Sequence, residues 1–143
     1  EPYFDFNKKL RAMQVWRPVY PRQHDKDEVG KIRVVMLVSR RIATDSWARL
    51  NMESRGVVGI SLEMAECIVC IFNIYNDGGH SRSIHALNFY LQSTESRRMW
   101  GRNVVDIWVG DFNCHHPMWD HPCNLHLFTR SNLEAVEWRS SLQ

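Results

Sequence analysis

The chain reads as an α/β domain, and three observations predict it. Two runs rich in β-branched and apolar residues, Ile32–Val38 and Cys67–Tyr75, have the length and composition of strands. Val58, Ile60 and Leu62 alternate with Gly59, Ser61 and Glu63, the two-residue period of a half-buried strand. Between Tyr75 and a further apolar run at Val104–Val109, the span Ser81–Trp100 places Ile84, Leu87, Tyr90 and Leu91 on one helical stripe. A strand, a helix and a strand in that order make the unit from which α/β sheets are built.

Taken in order, Val15–Tyr20 is a short strand that Pro21 ends, and Pro18 assigns it to an edge, since proline cannot donate to a ladder. Gln23–Gly30 is charged and loop-like. Ile32–Val38 follows as a strand, closed by Ser39-Arg40-Arg41. Ala43–Leu50 fits either irregular structure or one more strand. Met64-Ala65-Glu66 allows a tight connection, so Val58–Leu62 and Cys67–Tyr75 form a hairpin. The second of these is apolar enough to be buried on both faces. Cys67 and Cys70, three apart on a strand, point to opposite faces and read as two core thiols. Asn76-Asp77-Gly78-Gly79 has turn composition. Ser81 is the expected N-cap of the helix, and a crossover to a parallel strand at Val104 should be right-handed. Ser131-Asn132-Leu133-Glu134 has the form of a capping box, opening a last helix that carries Leu133, Val136 and Trp138.

At 143 residues the natural count is one domain. A chain of that size buries roughly 68–70% of its unfolded surface. A hydrophobic content of 44% against 24% charged residues excludes disordered and fibrous classes. The formal net charge of +2 neither demands nor excludes nucleic acid. Basic residues do cluster, at Lys8-Lys9-Arg11, Arg40-Arg41 and Arg97-Arg98-Arg102, which read first as solvated surface. The opening Glu1-Pro2-Tyr3-Phe4-Asp5-Phe6 lacks the features of a secretory signal. The longest apolar run, Cys67–Phe72, falls far short of the roughly 20 residues of a membrane span. Four cysteines with no sign of an oxidising compartment are expected to be thiols in an intracellular protein, compatible with the nucleus.

The chemistry is concentrated after Val104–Val109. Gly110 breaks the apolar run, and Asp111, Asn113, His115, His116 and Asp120 follow at once. α/β proteins deliver reactive groups to the carboxyl edge of the sheet in this way. Asp111 can accept a proton or hold a hard cation, and Asn113 can orient a phosphate or carboxylate by hydrogen bonding.

Gly110-Asp111-Phe112-Asn113 resembles the GDFN motif of the exonuclease–endonuclease–phosphatase family, which has the DNase I-like fold. The continuation His115-His116-Pro117-Met118-Trp119-Asp120 is similar to the endonuclease domains of non-LTR (LINE-type) retrotransposons. Asn73-Ile74-Tyr75-Asn76 looks like that family's strand leading into an asparagine-containing active-site loop. Here no proline separates tyrosine from asparagine, so Asn76 and Asp77 both compete for the loop position. Glu1-Pro2-Tyr3 matches the second half of a Gln-Glu-Pro-type motif that carries a metal-binding glutamate.

The resemblance implies that residues 1–143 form a single, incomplete domain, a partial DNase I-like two-sheet sandwich flanked by helices. The family's first strand and its closing Ser-Asp-His motif are not in the sequence. It implies Mg²⁺-dependent phosphodiester hydrolysis, with Mn²⁺ as a substitute. The activity would be nicking of DNA by a retrotransposon-type endonuclease, in the parent element beside a fused reverse transcriptase. By the same resemblance Asp111 would orient or deprotonate the attacking water. Asn113 would hold the phosphate and keep Asp111 in register. Tyr75 would place its phenol near the scissile phosphate. Asn76, His115 and His116 would contact substrate, and Glu1 would bind the metal through a hard oxygen ligand.

Three other readings stay open. Within the same superfamily the activity would be that of a phosphatase or a sphingomyelinase-like enzyme. Cys114, His115, His116, His121, Cys123 and His126 crowd into thirteen residues and could make a zinc-binding module, though no CxxC or HxxxH pair repeats. The third is an inactive remnant of a longer domain.

Overall fold

The computed structural model describes residues 10, 14–24, 32–77, 80–97, 102–113, 121 and 123. Six strands and two α-helices lie among them, with a single 3-10 turn at Arg22–His24. They are β1 (Trp16–Val19), β2 (Met36–Ser39), β3 (Trp47–Arg49), β4 (Val57–Glu63), β5 (Ile68–Tyr75), α1 (Arg82–Leu91), α2 (Thr94–Arg97) and β6 (Val104–Asp111). They form two sheets. β1 and β2 pair antiparallel, and the larger sheet runs β3-β4-β5-β6.

Within the larger sheet β4 and β5 are the expected hairpin, registered from Val57↔Ile74 to Glu63↔Ile68. Its connection is closed by Met64 N–H donating to the Cys67 carbonyl at 2.9 Å. β6 returns parallel to β5 after the helical crossover, from Ile68↔Val104 to Tyr75↔Asp111. The segment Ala43–Leu50 supplies the short strand β3, antiparallel to β4.

The two-residue period of β4 and β5 gives the sheet two different faces. One carries Val57, Ile68, Cys70, Phe72 and Ile74. It is covered by Ile84, Leu87 and Tyr90 of α1, with Leu50 and Met52 alongside. Phe72, Ile74 and Leu87 are fully buried there. The other face carries Val58 and Ile60, with Leu62, Ile71 and Tyr75, and packs against Val19 of β1 and against Val34 and Val38. Asn73 ties the two sheets together, its side-chain amide donating to the Val35 carbonyl at 3.2 Å. The architecture is α/β: two facing sheets, with a helix on the outer side of the larger one.

Four expectations need correction. The strand expected over Ile32–Val38 is regular only from Met36, where β1 offers a partner; Ile32 and Val34 are buried without a ladder. The helix expected over Ser81–Trp100 ends at Leu91, and the short α2 begins separately at Thr94. Ser81 stands at the N-cap position but makes no side-chain cap hydrogen bond; the Ser83 hydroxyl, in the first turn, instead donates to the Tyr75 carbonyl at 2.7 Å and ties the helix start to β5. β5 is fully buried on its α1 face only, the other face being half-buried. Cys70 is accordingly a core thiol and Cys67 a partly buried one.

A small polar cluster sits under α1. Cys70 and Asp106 are register partners on neighbouring strands, and the Cys70 thiol hydrogen-bonds the Asp106 carboxyl. Burial, and then the Asp106 charge, push the Cys70 thiol up to about 11. Burial likewise raises the Asp106 carboxyl, the bond to Cys70 opposing it. Tyr90, edge-on to Phe72 at 6.1 Å, is raised by burial and by the charges of Glu95, Cys70 and Asp106. Its hydroxyl is buried with no hydrogen-bond partner among the described residues.

For the Cys70 thiol and the Tyr90 phenol the folded value lies above the unfolded one. Between the two values the unfolded chain releases a proton that the native state keeps. The contribution of Cys70 is therefore complete below its ordinary value of 9.0 and is lost as pH rises towards about 11. The urea midpoint should fall over that range. Tyr90→Phe keeps the ring and removes the unpaired hydroxyl. It should raise stability at pH 7 by about 1 kcal/mol and flatten the alkaline decline above pH ~10. A destabilised Tyr90→Phe would show that the hydroxyl has a partner.

Candidate active site at the carboxyl edge of the sheet

β5 and β6 are parallel, so both deliver their carboxyl ends to the same edge. The register makes Tyr75 and Asp111 direct neighbours. Registered neighbours in a parallel pair project to the same face, about 4.8 Å apart in the pairing direction. This is the face that meets the smaller sheet. The ladder continues one step beyond the strands, where Asn76 N–H donates to the Asp111 carbonyl at 2.8 Å.

Gly110 does not end the strand, as its residue type suggested. β6 runs through it to Asp111. The glycine has φ +126°, a region L side chains rarely adopt, and a Cβ there would run into the main chain of Ile74. It lets β6 lie close against β5 just where Asp111 emerges. Asn113 has φ 44°, the left-handed region that asparagine tolerates better than most residues. That turn aims its N–H at Asp111 Oδ1, 3.0 Å away, and fixes the carboxylate. The Asn113 side-chain amide then donates to the Asn76 carbonyl at 2.6 Å and clamps the two strand ends together.

Asp111 is exposed, Tyr75 and Asn113 are half-buried, and Asn76 is buried. Asn76 thus contributes its main chain to the junction, while Asp77 faces the adjoining cleft. Tyr75 is braced from several sides. Its N–H donates to the Gly56 carbonyl at 2.7 Å, and its own carbonyl accepts from Ser83. The Arg33 guanidinium lies over its ring, 5.3 Å from the centroid. Gly56 is obligatory here, because a Cβ would strike Ser83 Oγ and the Tyr75 carbonyl.

The cleft beside Tyr75 has a volume of about 490 Å³. Arg33, Arg55 and Arg82 bring positive charge to it, Glu53 and Asp77 negative charge, and His80 also lines it. None of these arginines stands out in the sequence, because each arrives from a different element. One local signal was available. Arg82 opens a helix whose first turn holds no acidic residue, the reverse of what the helix dipole favours.

The structure therefore brings Tyr75, Asn76, Asp111 and Asn113 into one junction. Glu1, His115 and His116 lie outside the described residues, as do Cys114 and His126 of the zinc reading. His121 Nδ1 and Cys123 Sγ approach to 3.1 Å, but no group of three or more His, Cys, Asp or Glu side chains gathers among the described residues. Asp111 offers a carboxylate, exposed and held at a fixed orientation, of the kind through which Mg²⁺ binds while keeping its other positions for water.

Gly110→Ala should cost at least about 1–3 kcal/mol, from the disfavoured φ and the collision with Ile74. Urea denaturation measures it, and a change under 0.5 kcal/mol (about the spread of ordinary surface substitutions) would mean that the close approach of the strands is not required.

No helix among the described residues is long and apolar enough to cross a membrane. Neither a family model, nor a curated protein, nor a solved structure matches the chain.

Proposed function

We propose that this chain is a metal-dependent phosphodiesterase of the DNase I-like family, and that it nicks DNA as the endonucleases of LINE-type retrotransposons do. One observation carries the reading. The two segments that resemble the family, Asn73–Asn76 and Gly110–Asn113, are separate in sequence yet end side by side, Tyr75 against Asp111, at one carboxyl edge. A resemblance of short motifs makes no demand on where they fall in space. Their meeting, with Asn113 clamping both, is what a shared site requires.

The chemistry follows from the groups present. A phosphodiester needs a positioned water, charge neutralisation on its phosphoryl oxygens, and help for the leaving oxygen. Asp111 would hold Mg²⁺ or the attacking water; the cation, when bound, supplies neutralisation and makes water more acidic. Asp111 acts by position, which its bond from Asn113 N–H provides. Tyr75, fixed by Gly56, Ser83 and Arg33, would present its phenol to the phosphate. Asn113 would keep the two strand ends in register. The substrate is DNA, the site of action the nucleus, and the nick a primer for a reverse transcriptase of the parent element.

Purified protein should nick supercoiled plasmid with Mg²⁺ and not with EDTA. Asp111→Ala should lower the rate by 10²-fold or more, the scale of lost acid–base assistance, and Asn113→Ala should follow it. A folded wild-type chain that leaves plasmid intact would refute the nuclease reading. Turnover of a phosphomonoester in its place would favour the phosphatase.

A further inference from the structure

We infer that the chain associates as a two-fold dimer in which β6 of each copy enters a groove beside β2 of the other. The larger sheet of one copy then runs on into the smaller sheet of the other, giving two layers of six strands, four from one copy and two from the other. The inference does not depend on the catalytic reading.

The two sheets are offset, and the offset leaves β6 uncovered. β1 reaches towards β3: the Arg17 guanidinium lies 5.8 Å from the Trp47 ring centroid, and Arg49 Nη1 donates to the Tyr20 carbonyl at 3.3 Å. β2 lies against β4 and β5, with Val38 in one core with Val58, Ile60 and Ile71. The core between the sheets thus takes in residues of β3, β4 and β5 and, among the described residues, none of β6. Val105, Ile107 and Val109 consequently remain exposed on the inner face.

Where the smaller sheet stops there is a groove of about 390 Å³. Ile71, Asn73 and Val109 line its floor, and all four residues of β2 line one wall. That wall is an open strand edge. Arg40 N–H donates to the Val15 carbonyl, so by the alternation of an antiparallel ladder Arg17↔Val38 and Val19↔Met36 are the hydrogen-bonded pairs. Leu37 stands opposite Pro18, which has no N–H to give, and the Leu37 N–H and C=O point away from β1. No ionisable side chain lines the groove. Such a space accepts an extended strand, its main chain meeting Leu37 and its apolar side chains meeting Ile71 and Val109.

β6 is a strand of that kind. It is the outer strand of its sheet among the described residues, and its inner face is uncharged from Val105 to Val109. It carries neither the proline nor the lysine that blunts exposed edges. Ridge and groove lie side by side on one surface, so a two-fold axis between them satisfies both at once, each copy giving β6 and receiving β6. The inner faces of the two β6 strands then cover one another at the ~10 Å spacing of packed sheets. Neither the groove nor that face brings a charge out of water.

Sedimentation velocity over a concentration series tests the assembly. The wild-type chain should pass from one copy to two. Ile107→Lys puts a charge at the centre of the covered face and should raise the dissociation constant about tenfold or more. Leu37→Pro should do the same, since it removes an N–H that the β1–β2 ladder does not use. Phe89→Lys, at an exposed apolar position on α1, should leave dimerisation unchanged. Circular dichroism checks that each variant is folded. A wild-type chain that stays monomeric throughout the series would overturn the proposal. So would a dimer that survives both Ile107→Lys and Leu37→Pro. A dimer lost in Ile107→Lys but kept in Leu37→Pro would show that β6 does not pair with β2. Open-ended association of the wild type would exclude a closed two-fold. A chain that dimerises as described yet leaves plasmid intact would refute the catalytic reading alone.

Discussion

The parallel ladder between β5 and β6 is the constraint on which everything else depends. It fixes which end of β6 lies beside which end of β5, and so whether Tyr75 meets Asp111 at all. A parallel partner cannot be reached by a tight turn. It requires a crossover, and the crossover is α1. The helix in turn supplies the cover for Phe72 and Ile74. The apolar face that buries the helix and the polar edge that could do chemistry are therefore consequences of one topological choice. A slip of one residue would send Asp111 to the α1 face and its apolar neighbours to the wrong core.

That ladder is held on one side only. β6 is the outer strand of its sheet among the described residues, and Val105, Ile107 and Val109 on its inward-facing side are exposed by 42–44%. Burial elsewhere must hold it in place. Two devices do so locally. Gly110 permits a close main-chain approach to Ile74, and Asn113 bridges from the end of β6 to the end of β5. Both lie within three residues of Asp111, so the strand is pinned at the end where position matters most. At its other end, Arg102 pairs with Glu63 across the start of β5 at 2.7 Å. Both side chains there are more than half exposed, so that pair contributes little.

Much of this was legible in the sequence wherever a local rule governed the outcome. The alternation at Val58–Leu62, the short connection after it and the helical stripe of Ile84, Leu87 and Tyr90 each found their structure. Of the polar groups after Val109, Asp111 and Asn113 lie together at the carboxyl edge. Local rules failed where a partner decided the outcome. Ile32–Val35 has strand composition, but only the four residues from Met36 lie opposite β1. Gly110 has the composition of a break, yet the pairing with Ile74 carries β6 through it. Ser81 was the reasonable cap by position, yet its side chain makes no cap bond, and the start of α1 is instead tied to β5 through Ser83, whose hydroxyl reaches the Tyr75 carbonyl in the space beside Gly56.

The arginine cleft shows the same limit in electrostatic form. A net charge of +2 over the whole chain carries no signal for a polyanionic partner. The field a ligand meets, however, is set by the charges within about a Debye length, roughly 8–10 Å. Three arginines from three distant parts of the chain converge within one concavity. In the sequence each is one basic residue among eighteen lysines and arginines. The contiguous basic runs, by contrast, draw attention but need share no surface with the reactive edge: Arg40 and Arg41 follow the end of β2 and do not line the cleft. Overall charge and charge clustering along the chain are therefore poor guides here. What matters is which guanidiniums the β5–β6 edge and the start of α1 bring to the same side as Tyr75.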